Sequence, residues 1–478
     1  MRIGIIGAGA AAVGLLDALA VGAADPGEIT VFEPSPHLWR GRPYGPDLAS
    51  VLVNAPPAIM SIRHGDPGHY AAWLGADRAA EHLDGLLGQP VVPRALYGDY
   101  LAATAEAALI RLSGRGWRVR IVAARGVAAV RSGHHLVIRT DDGLDHPADQ
   151  VAVCVGGGTP QDHYGLGAED PYPLASTLAR IPDEAAVVVI GSGLTAVDVV
   201  VSLAARGHAG RIALVSRTGM LPHVWQRPLP YRPVHVTEGR VAALDVTLDA
   251  LAGLLREELA EAGEDFAEFA ADVLAAETED PVLRLRRQLD AVDDLRIGRR
   301  VLQETAHTLG PRVWRLLPES DRERLLRHHR LATSLASPMV PVNAAALMRL
   351  FESGQLSAVA GVVKIQAVRG GFRVRGDGGD LEAAAVVNAV NPPPQAVPRG
   401  AEPLVTSLVA AGLAAQHPRG GLVPADPRLH VVGDLAGGPF ITSGIPGIAA
   451  AGTRTASALT SSPAGATATA AKSTELRR

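Results

Sequence analysis

The residues best spaced for chemistry in this chain are glycines. Gly7 and Gly9 stand in GAGAAA directly after the apolar run RIGII, and Gly191 and Gly193 stand in GSGLTA after AAVVVI. Where a strand turns sharply into a helix, absent side chains permit the bend and let backbone N–H groups and the helix dipole meet a pyrophosphate. Ala12 and Ala196 take the third small position, where helix and strand must approach closely. Such triplets also serve plain helix–strand packing, so the residue closing the next strand has to discriminate. After the first triplet that residue is Glu33, a carboxylate placed to accept both hydroxyls of an adenosine ribose, which points to FAD. After the second it is Arg217 in SRTG. A carboxylate there would repel the extra phosphate of NADP, whereas a guanidinium binds it bidentately and stacks on adenine, assisted by Ser216 and Thr218. A surface arginine following a strand is the plain alternative. The expected second nucleotide is therefore NADPH rather than NADH.

A third element lies near the C-terminus, where Gly433 and Asp434 end a strand and precede a helix whose N-terminus would face a flavin ring. An aspartate so placed hydrogen-bonds ribityl or pyrophosphate groups, with Gly437, Gly438 and Ile445 lining the neighbouring loop; an ordinary Asx-type turn is the alternative. Other reactive types are scarce. Cys154 is the only cysteine, which excludes an intrachain disulfide, a CxxC redox pair and a cysteine-based metal cluster, and its apolar setting VAVCV reads as a small buried hydrophobe. Lys364 and Lys472 are the only lysines and neither lies near a motif, so Schiff-base chemistry is not expected. His328 and His329 are adjacent on a helix and point about 100° apart, which suits a surface face better than a metal site.

These residues need elements to hold them. The first triplet sits in a βαβ unit: RIGII, the helix AAVGLLDALA, then EITVFEP. The same order recurs as AAVVVI, VDVVVSLAARG and RIALVSR. Between the copies come a helix around PRALYGDYLAATAEAALIRL and the segments WRVRIVAA, GVAAVRS and HLVIRT, read as a β-meander, before VAVCV. Residues 245–335 are read as a helical insertion and candidate lid. VVKIQAVRGGFRVRG follows as a hairpin, AAAVVNAV as a strand closed by Pro392, Pro393 and Pro394, and RLHVVGDLAGG as strand and loop. The expected fold class is α/β, with two Rossmann-like dinucleotide-binding domains, for FAD and NADP, and a helical insertion. The expected boundaries are residues 1–160 and 395–460 for the two parts of the FAD domain, 184–391 for the NADP domain, and 461–478 for a disordered tail.

The 478 residues exceed what one core usually organises. A hydrophobic fraction of 47% and a charged fraction of 20% are ordinary globular usage, and no apolar run reaches the roughly 20 residues of a membrane span. The net charge of -4 offers no excess positive field for phosphate backbones or anionic lipid, so neither nucleic acid nor membrane is expected as a partner. Arg2 before an alanine-rich stretch superficially resembles a secretory signal, but the glycine spacing argues otherwise and the cytoplasm is the expected compartment.

The run HLWRGRPYGPDLASVLVNAPPAIMSI, then PRALYGDYL, VVVIGSGLTAVDVVVSL and SRTGMLP, resembles the bacterial FAD/NAD(P)-binding flavoproteins with a G-x-PYG…LLN-x-P…MS signature. The resemblance covers most of residues 1–225, continues in VWRLLPESDRERLLRHHR and returns at VVGDLAGG. It implies that Tyr44, Asn54 and Met60 lie beside the isoalloxazine ring and that Arg94 anchors the loop before the following helix. Some members of that family are monooxygenases that oxidise an amino-acid nitrogen, including nitrosuccinate formation from aspartate. Two departures, LATSLASPMVP where a Trp and a basic segment are usual and NAVNPPP without its usual glycine, fall where a substrate pocket could be lined, so the family's substrate does not transfer.

The expected activity is thus an FAD-dependent, NADPH-consuming monooxygenase acting on an amine or amino-acid nitrogen of a small molecule, with molecular oxygen as co-substrate, through a flavin hydroperoxide. Such chemistry needs no strong protein nucleophile, no particular side chain is singled out as catalytic, and no metal is expected. Arg40, Arg42 and Arg63 are candidates for holding a substrate carboxylate, with a flavin-phosphate contact or a solvated surface charge as equal alternatives for each. The fingerprint FxGxxxHxxxW of two other flavin monooxygenase classes is absent. A reductase without oxygen insertion, or a non-catalytic FAD-binding protein, would carry the same cofactor motifs.

Overall fold

The computed structural model describes residues 1–22, 25–167, 170–376, 379–393, 395–438, 440 and 444–461. The expected tail beyond residue 461, and Pro394, lie outside them.

Two parallel sheets organise the chain. The first runs in the order Leu429–Val431, Gln150–Val153, Arg2–Ile6, Glu28–Phe32, Arg118–Val122, all parallel. The second runs Leu356–Val359, Ile212–Val215, Val187–Ile190, Ala385–Asn388, again all parallel. The central strands of the second sheet, VVVI and IALV, are apolar throughout, because the helices Leu194–Ala205 and Pro341–Glu352 cover one face and the small antiparallel sheet of Lys364–Val368, Gly371–Gly376 and Gly379–Ala383 covers the other, so neither side meets water. Chain segments far apart in sequence complete the first sheet: Leu429–Val431 returns to its edge and the helix Ile445–Ser461 packs on Ala10–Val21. A Cβ on Gly452 would lie 2.8 Å from the Gly14 backbone, so that glycine is what lets the two helices touch.

The segment WRVRIVAA departs from the expected meander. Arg118–Val122 is the parallel edge strand beside Glu28–Phe32, and the antiparallel sheet comprises Gly126–Ser132, His135–Thr140 and Asp145–Ala148 only. An edge strand with one polar side alternates as a meander strand does, so residue patterning cannot separate the two. Lys364–Val368 and Gly371–Gly376 form the expected hairpin, joined by Gly379–Ala383.

The helical insertion spans Glu238–Ala242 to His329–Ala336, with its own small apolar clusters around Trp314, Leu259 and Leu331. One of its helices belongs elsewhere: Pro281–Asp290 buries Leu285 in the core of the second sheet, and Arg284, nearly inaccessible, donates to the Leu221 carbonyl at 2.7 Å.

The halves are joined by polar contacts between named side chains. Arg94 at the start of Arg94–Gly114 reaches Asp198 in Leu194–Ala205 at 2.5 Å, with the carboxylate fully buried and the guanidinium 12% exposed. Arg94 also donates to Leu52 O at 2.9 Å and Tyr172 Oη at 3.1 Å. Burial opposes the Arg94 charge, but Asp198 outweighs it and holds the guanidinium protonated. Asp47 caps the chain at Leu174, Ser50 meets Ser202 at 2.8 Å, and Trp225 Nε1 donates to Asn54 O at 2.6 Å.

Candidate functional site

Both glycine turns have the same construction. Gly7 adopts φ 95° and Gly191 φ 116°, in the left-handed half of conformational space that a side chain disfavours. A Cβ on Gly7 would stand 2.8 Å from Cys154 O, and one on Gly191 2.8 Å from Ala389 O, so each turn is wedged against the neighbouring strand end. Gly7 N–H donates to Phe32 O at 2.9 Å and Gly191 N–H to Val215 O at 2.8 Å. Ala12 and Ala196 are fully buried in the following helices. Gly9 and Gly193 sit at the N-caps of those helices and supply no capping side chain, whereas Thr237, Thr247, Asp265 and Asp280 cap helices of the insertion. The free N–H groups at these two helix starts are the donors an anionic diphosphate requires.

Around the first turn, Glu33 Oε2 accepts from Ala8 N–H at 2.9 Å and Oε1 from Ser35 N–H at 3.0 Å, which fixes the carboxylate at the strand end. The loop of residues 38–45 crosses the turn, where a Cβ on Gly9 would come within 3.5 Å of Gly41 Cα. From the far end of the chain, Gly433, with φ 93°, faces Ala11, and Asp434 Oδ2 stands 3.0 Å from where a Cβ on Gly157 would lie. Tyr44 lies within the field of both Arg94 and Asp434; burial pushes its phenol up to about 12, so it stays a neutral donor. Its ring is 4.7 Å from that of Tyr97, whose hydroxyl donates to Met60 O at 2.7 Å. Met60 and Ile445 are buried in one apolar cluster with Ala8, Ala11 and Ala12. Asn54 keeps a buried Oδ1 without a partner among the described residues. An unsatisfied buried acceptor, a cradle that one Cβ would fill and an uncapped helix start together fit a dinucleotide such as FAD.

Around the second turn, Ser216 Oγ accepts from Gly219 N–H at 2.8 Å, and Ser192 Oγ donates to Met220 O at 2.8 Å. Arg217 is exposed. Arg330 reaches Thr218 Oγ1 at 3.4 Å, and burial together with the Arg217 cation lowers its affinity for its proton. Among the described residues neither arginine pairs with a carboxylate. Two cations converging without a counter-ion suit an anion such as the extra phosphate of NADP. Arg330 escaped the sequence reading because it lies in RLLRHHR, far along the chain from SRTG; the basic run was the available signal, and folding supplied the proximity.

The three arginines expected to compete for a substrate carboxylate are occupied. Arg40 pairs with Asp99, Arg42 with Asp170 at 2.6 Å, and Arg63 with Asp17 at 2.7 Å. Their partners lie in other elements, which residue types alone could not reveal. Arg94 holds the Leu52 backbone and reaches further, to the second sheet's helix. His328 meets Glu277 at 3.0 Å while the His329 ring lies 5.2 Å from Phe440, so the pair diverges, and no cluster of metal-binding side chains occurs among the described residues. Burial pushes the Cys154 thiol up to about 12, which makes it inert.

A cavity of about 410 Å³ opens between the insertion and the C-terminal loop that carries Gly433 and Asp434. Trp314 of the insertion donates to Gly438 O and its ring lies 4.7 Å from Phe440. Of the two departures from the family pattern, LATSLASPMVP contributes Ala332, Leu335 and Ala336 to this cavity, while Asn391 of NAVNPPP accepts from Thr195 at 2.8 Å and does not line it.

Two parallel sheets with matched glycine turns define the two-dinucleotide-domain α/β fold of flavoproteins. Residues 4–158 match a family model described as FAD-NAD(P)-binding, so the chain carries an FAD/NAD(P)-binding domain over that span. No curated protein sequence matches the chain. Solved structures similar to it include an ornithine N-hydroxylase from Kutzneria sp. 744, described with FADred, NADP+ and L-orn, at 14% identity and TM-score 0.58, covering 96% of this chain and 98% of that one. L-lysine 6-monooxygenase from Pseudomonas syringae is similar at 17% identity and TM-score 0.55, covering 96% and 98%. The ornithine hydroxylase PvdA from Pseudomonas aeruginosa is similar at 14% and 0.54, covering 96% and 99%. At these identities the likeness is one of fold. No helix among the described residues is long and apolar enough to cross a membrane.

Proposed function

We propose that the chain is an FAD-dependent oxidoreductase that consumes NADPH and inserts one oxygen atom into a small amine. The overall change is amine, NADPH, a proton and dioxygen giving hydroxylamine, NADP+ and water. The observation that carries this reading is the repetition of one glycine turn with opposite charge after the next strand: Glu33 at the first and Arg217 at the second, where folding adds Arg330 from the insertion. The fold shared with the ornithine and lysine N-hydroxylating enzymes supports the same class.

We assign residues 1–160 and 395–460 to the FAD domain and 184–391 to the NADP domain. Gly7, Gly9 and Ala12 admit the FAD pyrophosphate to the helix start, Glu33 takes the adenosine ribose, and Gly433 with Asp434 holds the ribityl end. Tyr44, Asn54, Met60 and Ile445 border the ring, where Asn54 Oδ1 gains the hydrogen bond it lacks. Gly191, Gly193 and Ala196 admit the NADPH pyrophosphate; Ser216, Arg217, Thr218 and Arg330 surround its 2'-phosphate. When bound, FAD supplies two-electron redox chemistry and oxygen activation that no side chain here offers. The insertion closes over the C-terminal loop through Trp314 and Phe440 and keeps water from the reacting groups. The cavity beside that loop favours an organic substrate over a reductase handing electrons to another protein. Turnover in 18O2 tests the reading: product gaining one labelled oxygen supports it, and NADPH consumed with only hydrogen peroxide released refutes oxygen insertion.

A further inference from the structure

The loop from Asp47 to Asn54 belongs to the first half of the chain but is held by both. Val51 is buried in the apolar core of the second sheet, with Leu48 packed against that core, whereas Val53 is buried in the core of the first. The exchange is reciprocal: Trp225 and Val340, from the second half, are buried in the first core. Hydrogen bonds fix the loop along its length. Asp47 Oδ2 accepts from Leu174 N–H at 2.8 Å and Oδ1 from Ala175 N–H at 2.8 Å. Ser50 Oγ lies 2.8 Å from Ser202 Oγ, and Trp225 Nε1 donates to Asn54 O at 2.6 Å. On the side of the first half, Val53 N–H donates to Val92 O at 2.9 Å and Arg94 N–H to Val51 O at 2.8 Å. Ser202 lies in Leu194–Ala205, the helix that follows the second glycine turn, while Asn54 ends the loop with its Oδ1 buried and unpartnered among the described residues. One short segment thus runs from the helix of the second nucleotide to a residue assigned to the flavin.

We infer that this clamped loop sets the spacing between the two nucleotides, and that Val51 and Trp225 are positioning residues for the passage of a hydride from NADPH to FAD. The inference rests on the two-nucleotide reading of the site. In the step concerned a proton with two electrons leaves NADPH, giving NADP+ and reduced FAD. Its rate depends steeply on how donor and acceptor meet: a misplacement of about 1 Å, caused by a change remote from the chemistry, can cost about 100-fold. Affinity is less exposed, because each nucleotide is held by the glycine turn, helix start and charged strand end of its own half. Val51 and Trp225 fix the loop from opposite directions. Val51 seats it in the second core, and Trp225 brings the second half to its end. Arg94, which holds Leu52 O and Asp198 together, braces the middle. Protein interiors are close-packed and transmit strain, so shortening either side chain shifts Asn54 relative to Leu194–Ala205.

Trp225→Phe keeps an aromatic body but deletes the donor to Asn54 O, and Val51→Ala trims the side chain seated in the second core. Leu356→Ala is the control: it opens the same core at the start of the edge strand, the end of the second sheet away from the glycine turn. In anaerobic stopped-flow mixing of the FAD-loaded protein with saturating NADPH, each loop variant should reduce its flavin about tenfold more slowly or worse. FAD content, Kd for NADP+ and the rate of reduction by dithionite should stay within about twofold of the unaltered protein, because they do not depend on the spacing. Leu356→Ala should lower the urea midpoint at least as far as Val51→Ala yet leave the limiting rate with NADPH within about twofold. An equilibrium readout accompanies the rate: the change that saturating NADP+ makes in the flavin absorbance should shrink in both loop variants and persist in Leu356→Ala. Limiting rates unchanged in both loop variants, or an equal loss in Leu356→Ala, would overturn the inference. Flavin that the unaltered protein retains but NADPH leaves oxidised would overturn the two-nucleotide reading and the inference with it.

Discussion

Neutralising Asp198 should loosen the joint between the two nucleotide-binding halves, and the sign of its effect should depend on Arg94. The pair is 2.5 Å apart, with the carboxylate fully buried and the guanidinium 12% exposed. Unit charges at that distance attract by roughly 7 kcal/mol at an effective dielectric near 20, and desolvation of both ions takes back much of it. Removing one partner of a buried pair leaves the other charge uncompensated and costs about 3–5 kcal/mol. Asp198→Asn keeps the shape and one acceptor, so the low end, about 3 kcal/mol, applies. With an m-value of about 3 kcal/mol/M, that lowers the urea midpoint by about 1 M. In an Arg94→Met background the remaining buried carboxylate has lost its cation, so Asp198→Asn should raise the midpoint. Equal destabilisation by Asp198→Asn in both backgrounds would refute the argument that the ion pair, rather than local packing, holds the joint.

Other outcomes follow from the same geometry. Gly7→Ala places a Cβ against Cys154 O at φ 95° and should abolish FAD retention, whereas Gly191→Ala should keep the yellow colour and lose NADPH oxidation; both are read from absorbance. Arg217→Ala should raise KM for NADPH about 10- to 100-fold, the worth of a hydrogen bond to a charged group, and change KM for NADH less than about twofold. Equal effects on the two nucleotides would remove Arg217 from the phosphate. His223 is buried beside Arg284 and Arg299, and burial and those cations hold its ring well below the ordinary value. The unfolded chain binds a proton near pH 6.5 that the folded ring refuses, so the stability it contributes is present above pH 6.5 and lost as pH falls, by up to about 1.4 kcal/mol per unit. His223→Gln should flatten urea midpoints between pH 7 and 5; an unchanged slope would exclude that residue.

The parts legible in the sequence were those set by local sterics. A strand that turns at Gly7 or Gly191 against a neighbouring backbone permits no Cβ, so the requirement is written at single positions. The parallel pairing of Arg118–Val122 was not legible, because the partner strand and not the pattern decides the sheet. Nor were the partners of Arg40, Arg42 and Arg63, or the approach of Arg330 to Thr218, since these depend on elements that meet only after folding. The cavity is the extreme case: apolar residues at helical spacing look alike whether they fill a core or surround a space, and Leu251, Leu302 and Phe440 do the latter.

Anaerobic titration of the purified, FAD-reconstituted chain with NADPH tests the two-nucleotide account most directly. The yellow flavin absorbance should bleach fully at one NADPH per chain. A chain that stays colourless after reconstitution, or a yellow one that NADPH leaves unbleached, would contradict it.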